Sequence, residues 1–366
     1  MGEFSENQYT DFRSVAVDGL LFFTPKQRVP VGTAILNPAE GVTEETITPA
    51  FRPITIRGKT FQNRVWVAPM CMYSCQDGMF SNFHVAHYGQ WAMRGSALIT
   101  IEVAAMALRG RNNPQDAGLL SDNRIAPLKQ VVDLIYSQSQ KATIQLQHAG
   151  RKCGFGSYAE DVQGSTAEPW NKDYATPGEM TEEDIWETID AYGEAARRAV
   201  VAGINVIAIH DAHGYLVHSF ASPAINTLRY IPILSAEGVD LFDISSGGTD
   251  RRQKVQLGQQ YQVPFAKAVK DLGLPNVFGD GVTVHDILSN NKADVVQVAR
   301  EFLRDPNIVQ KVALSTGTNV TWVDQYHRAP MNGKYVESTT SIMTGAKASD
   351  FVMQSHENQA PNKIIS

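Results

Sequence analysis

Cysteine is scarce in this chain. Cys71, Cys75 and Cys153 are the three in 366 residues, too few and too irregularly placed for a disulfide framework. Reduced thiols point to a cytoplasmic setting. No run of about 18 apolar residues occurs, so the sequence offers no transmembrane helix. The short apolar stretch Gly19–Phe23 has no basic region before it and does not read as a signal peptide. Positive charge is not in excess: the formal net charge is -6 and the pI near 5.9, which supplies no electrostatic footprint for nucleic acid or an anionic membrane. A glycine-rich turn is also missing after the first clear strand, Val65–Pro69, where a doubly wound dinucleotide-binding sheet would want one. What remains is a chain with 43% hydrophobic and 19% charged residues, enough to core one large barrel-type domain or two ordinary ones.

Residues 1–50 read as a polar, proline-containing arm, and 330–366 as a C-terminal extension rich in Ser, Thr, Asn and Lys. Between them, over 51–329, short apolar runs alternate with helical patterns, the mark of parallel βα units. The clearest strands are Val65–Pro69, Ala97–Glu102, Ala142–Leu146, Asn205–His210, Val239–Ile244 and Asp294–Val298. A helix is expected over Ala126–Ser137. Another opens at Thr181, with Asp184 in the capping-box position, and stops at Gly203. Polar and aromatic residues gather just after the strands. In a (β/α)8 barrel that is the active-site face.

His210-Asp211-Ala212-His213-Gly214-Tyr215 is the most informative of these strand ends. Imidazole N–H groups can hold a carbonyl or phenolate oxygen, and a tyrosine hydroxyl can deliver a proton. The same spacing also suits ordinary loop histidines, or a metal site for which no third ligand group is evident nearby. Met70–Ser74 and Gln145–Arg151 end two other strands. Met and Cys are commonly core filler, whereas Gln145 can donate and accept toward a heterocycle edge. Their joint occurrence at successive strand ends favours function over filler.

In order, spacing and content, PMCMYS, H-x-A-H-G-Y-L, QLQHAGRK, GVDLFDISSGG and REFLRDP resemble the old yellow enzyme family, closest to its branch with a cysteine beside the flavin. The resemblance implies a TIM-type (β/α)8 barrel. It also implies an FMN cofactor, NADPH as reductant, and reduction of an activated C=C bond in an enal, enone or similar small molecule. Ala68, Pro69, Met70 and Cys71 would line the flavin, with Val103, Gln145 at the pyrimidine edge, and Ala299 and Arg300 at the phosphate. His210 and His213 would grip the substrate oxygen, with Tyr73, Asp211 and Ala212 nearby, and Tyr215 would protonate the α-carbon. Arg328 resembles an arginine that reaches a neighbouring subunit's site, which implies a homodimer or higher homo-oligomer.

One departure bears on both fold and function. The segments beginning at 204 and 239 lie 35 residues apart, room for one βα unit. They nevertheless resemble the family's fourth and sixth strands. The fifth strand and most of its helix are therefore expected to be missing, roughly 60 residues of the family pattern. That strand carries the family's arginine beside flavin N1, and no residue at a matching position replaces it. Tyr230–Leu234 is no substitute: Pro232 and a four-residue gap to Val239 both oppose a parallel strand. The run from Asn276 to Gly281 is shorter than in the family, and Ala299 stands where a glycine is usual. The alternative function is an FMN-free isomerase or cyclase, or an impaired homologue, using the same pocket.

Overall fold

The computed structural model describes residues 15–153, 161–221, 227–248, 252–254, 260–279 and 284–326. Seven parallel strands form its centre: β1 (Val65–Val67), β2 (Leu98–Ala105), β3 (Lys141–Gln147), β4 (Val206–Ile209), β5 (Phe242–Ile244), β6 (Asn276–Gly279) and β7 (Val295–Val298). Their spatial order is β5-β6-β7-β1-β2-β3-β4, each hydrogen-bonded to the next. β1, β2 and β7 are buried along their whole length. Their near-continuous apolar sequence suits strands covered on both faces.

Helices cover the outside. Strand residues Ile99, Ile101 and Ile144 pack into one core with Leu128, Val131 and Ile135 of α2 (Ile125–Ser137), the second helix after α1 (Asn82–Ala92). Ala195 and Ala199 join them from α3 (Glu182–Val201). The expected start of α3 is present: Thr181 Oγ1 accepts from the Asp184 amide at 3.2 Å, while the Asp184 carboxylate accepts from the Thr181 amide at 2.9 Å. Such a cap contributes about 1 kcal/mol. Gly203 ends the helix at φ +103, a left-handed conformation that glycine adopts without a Cβ clash.

A second cluster, built on Trp66, Leu98 and Val295, fills the N-terminal end of the barrel. An antiparallel hairpin, Ile54–Ile56 with Lys59–Phe61, brings Ile54, Ile56 and Phe61 against it. From residue 15 onward the N-terminal arm is attached to this body rather than free of it. Val31, Ile47, Ala50 and Phe51 are buried, and the Gly32 and Ile35 amides donate to the carbonyls of Thr321 and Asn319.

Among the described residues no ladder joins β4 to β5, the two edges of the sheet, and Ile209, on β4, is 59% exposed. The segment 227–236 folds as a helix, Thr227–Ala236, with Pro232 inside it; Ile231 packs on Phe242 and Val269. It is thus the helix before β5 and no replacement strand. At the base, Val206 and Leu241 from the two edges pack on the same cluster. At the top, Lys152 and the His213–Ser245 pair span the two edges.

Candidate active site

Each strand end contributes a short polar loop to the C-terminal face. After β1 the chain turns sharply, with Tyr73 at φ +49, an uncommon conformation for a bulky residue. Glu102 holds this turn from below. Its buried carboxylate accepts from the Met72 amide at 2.9 Å and from the Tyr88 hydroxyl at 3.2 Å, and His84 Nε2 lies 3.4 Å away. The strand irregularity between Ile101 and Val103 coincides with this residue; a bulge of this kind re-aims side chains. Ala68, Pro69, Met70 and Cys71 are half-buried along the turn. Burial, then the carboxylates of Asp116 and Glu102, push the Cys71 thiol up to about 12, so it is protonated at neutral pH.

On β3, alternation places Thr143, Gln145 and Gln147 on one face. The Thr143 hydroxyl and both amide atoms of Gln147 are buried without a protein partner among the described residues. Orphaned polar atoms of this kind are rare without a ligand or water to satisfy them. The loop beyond β3 sends Lys152 across the top of the barrel. Its ammonium donates to the His213 carbonyl at 2.6 Å and the Gly248 carbonyl at 3.1 Å, and it sits over the rings of Trp170 and Tyr215.

After β4, His210 and His213 present their ring nitrogens to each other: Nε2 and Nδ1 are 3.3 Å apart. His213 is held in a left-handed conformation, φ +57, which costs roughly 1–2 kcal/mol. Three contacts around it offset that cost. Its Nε2 bonds the Ser245 hydroxyl at 2.7 Å, its carbonyl takes the Lys152 bond, and the Gly214 amide donates to His218 Nδ1 at 2.9 Å. Burial, followed by the charges of His213, His218 and Lys152, drives His210 down to about 3. Burial and Lys152 lower His213 as well. Both rings are therefore neutral at physiological pH. The Tyr215 ring lies 5.2 Å from that of His210. Burial, then Cys71 and Tyr73, raise its hydroxyl well above the usual tyrosine range. Cys71 and Tyr73, on the β1 loop, are thus among the groups that act on Tyr215 of the β4 loop.

Asp211 and Ala212 complete the β4 loop. Burial raises the Asp211 carboxyl to about 6, and one of its oxygens lacks a partner among the described residues. Val103 is buried on β2. Ala299 precedes the short helix Arg300–Arg304, with Arg300 exposed at its start beside the end of β7. The Ala68 amide bonds the Val298 carbonyl at 3.0 Å, which ties the β1 and β7 ends together. Arg328 lies outside the described residues. Lys152 and His218 were not among the expected site residues, while Glu102 and Ser245 stand out in the sequence as polar residues at the ends of apolar runs. The contacts of all four depend on which loops meet.

The NADH:flavin oxidoreductase / NADH oxidase family model matches residues 49–228. That match stops at the helix before β5, where the gap lies. The NADPH dehydrogenase of Geobacillus sp. (strain WCH70) is 34% identical over 338 residues, covering 77% of this chain and 98% of the relative. As 77% of 366 residues is about 282, about 56 of the 338 aligned positions, 338 less 282, face no residue here, which agrees with a lost βα unit. The NADPH dehydrogenase of Bacillus subtilis (strain 168) is 33% identical over 335 residues, covering 76% of this chain and 98% of the relative. Among solved structures, morphinone reductase superposes with a TM-score of 0.62 at 16% identity, covering 76% of this chain and 92% of that one. The old yellow enzyme homologue from Zymomonas mobilis gives 0.62 at 18% identity, covering 77% and 99%. These two support the fold, a (β/α) barrel. With the site geometry and the relatives taken together, the chain belongs to the old yellow enzyme family of flavin oxidoreductases, with FMN as cofactor and NADPH as reductant.

Proposed function

We propose that the chain reduces activated C=C bonds in small enals or enones. The observation that carries this reading is the convergence of two neutral imidazoles and a protonated tyrosine on one cleft, opposite the Cys71 and Tyr73 loop. Neutral imidazole N–H groups polarise a carbonyl oxygen without first giving it a proton. Tyr215, kept protonated by burial, is a proton donor for the α-carbon.

The residues fit FMN on most of the cleft. The turn Ala68–Cys71, Val103 and the polar face of β3 with Gln145 would hold the ring system, and the orphaned Gln147 and Thr143 atoms mark a place for polar edges. Arg300 would meet the phosphate, the backbone approach being narrowed by the Cβ of Ala299. When bound, FMN supplies the hydride that it receives from NADPH. The chain's own residues orient the acceptor, hold its oxygen and deliver the proton.

Tyr215→Phe tests the division of labour. With FMN supplied, reduction by NADPH is expected to proceed at nearly the normal rate, while reoxidation by an enone slows sharply, because only that half-reaction needs the phenol proton. Equal loss in both half-reactions would make Tyr215 a structural residue and remove the proton donor from the reading.

A further inference from the structure

His148, directly after β3, carries a ring N–H that the described residues leave unused. Its Nδ1 accepts from the Gly150 amide at 3.0 Å, so in the neutral ring the proton sits on Nε2. Burial, then the charge of Arg109, draws the ring down to about 4, which keeps it neutral at physiological pH. His148 is 1% exposed, and among the described residues Nε2 has no hydrogen-bond partner. A buried N–H without an acceptor is destabilising, and uncommon unless a ligand or water supplies one. The ring borders a cavity of about 180 Å³, more room than a single water takes. Met106, Ala107 and Ala191 give the cavity an apolar wall, and Arg109 and Thr188 add polar groups. This is the helix side of β3. Leu146, two residues before His148, packs in the core shared with α3, whereas Gln145 and Gln147 alternate to the other face.

The turn that carries Arg109 is fixed against this histidine. The Ala149 amide donates to the Gly110 carbonyl at 2.9 Å, and a Cβ on Gly110 would stand 3.1 Å from His148 Cδ2. The Arg109 guanidinium itself is loosely engaged. It lies 3.6 Å from Asp161 and 3.7 Å from Glu187, both carboxylates more than half exposed. These separations are well beyond the roughly 2.7–2.9 Å of a charge-assisted hydrogen bond. We propose that the cavity binds a small organic carboxylate. Its oxygens would take the His148 Nε2–H and the Arg109 guanidinium, and its short hydrocarbon part would lie against Met106, Ala107 and Ala191. A guanidinium matches the planar carboxylate in two parallel bonds, and the ligand replaces the distant Glu187 as its partner. The site is separate from His210 and His213 and does not depend on what they hold.

Calorimetric titration of the full chain, saturated with FMN, uses propanoate as the probe and propanamide as its uncharged counterpart. Propanoate is expected to bind, and propanamide to bind roughly tenfold more weakly or less well still. Arg109→Gln is expected to weaken propanoate roughly fivefold or more, the loss of one charge-assisted contact. Ala191→Leu, which fills the cavity from α3, is expected to abolish binding. In histidine-labelled chain the His148 Nε2–H resonance should move along the same binding curve. Arg109 and Ala191 lie outside the flavin cleft, so both variants should keep FMN reduction by NADPH, which shows that they fold. Absence of propanoate binding leaves the cavity to water and overturns the proposal. Binding that neither variant alters, or an unmoved His148 resonance, places the anion elsewhere and overturns it too. Equal binding of propanamide, or tighter binding of inorganic phosphate, would overturn the carboxylate assignment.

Discussion

A neutral histidine pair is the residue-scale centre of this account. Burial depresses His210 to about 3, and His213 shifts in the same direction. A neutral carbonyl ligand should therefore bind with an affinity that does not step near the ordinary histidine pKa, about 6.5. Had the clamp required imidazolium, affinity would fall as pH rose through that value. Calorimetric titration of 2-cyclohexenone from about pH 5 to 8 distinguishes these outcomes. The same shift has a stability consequence of definite sign. The unfolded chain takes up the His210 proton below about pH 6.5, whereas the folded chain resists until about 3, so this group's contribution to stability declines as pH falls through that window. At this scale the sequence placed His210, His213 and Tyr215 together at one strand end, and the structure brings their rings together there. It did not reveal the contacts that Lys152 and Ser245 make with His213. Each lies on a different loop from the histidine it touches, and a loop's neighbours are set by strand order rather than by sequence distance.

The elements were more legible than their ends. Every strand named from apolar runs is present, although the structure trims Val65–Pro69 to Val65–Val67 and Val239–Ile244 to Phe242–Ile244, and extends Ala97–Glu102 to Leu98–Ala105. Pro69 cannot donate to a ladder, and residues 239–241 have no partner strand on the open side, so pairing starts only where β6 is available at Phe242. The extension of β2 past Glu102 was hidden by the charge itself. The missing unit was also foreseen from spacing, but spacing left two outcomes, direct pairing of the flanking strands or an open seam. Among the described residues the structure shows no ladder between them. An unpaired edge leaves backbone groups without a ladder, so hydrogen exchange should be faster in Val206–Ile209 than in Lys141–Gln147, which is paired on both sides. Equal protection of these two strands would indicate that something covers the seam in solution.

Across the whole molecule, the hydrophobic base and the catalytic face have fared differently from the loss of one unit. At the base, Trp66, Leu98 and Val295 with the hairpin form a plug that both edge strands still reach. This explains how a seven-stranded arc keeps its curvature. At the top, Lys152, His213, Ser245 and Gly248 join the edges. The loops after β4 and β5 thus also fasten the two edges of the sheet. Among the described residues no strand stands where the family's fifth would close the flavin cleft, so a bound flavin is expected to lack that support. The central claim is an NADPH-reducible flavoprotein that holds its cofactor loosely. The direct measurement is the visible flavin absorbance of the purified chain saturated with FMN, recorded before and after dialysis and on anaerobic addition of NADPH. The account predicts one bound FMN per chain that NADPH bleaches and dialysis removes. FMN that stays bound through dialysis, or bound FMN that NADPH fails to bleach, would contradict it.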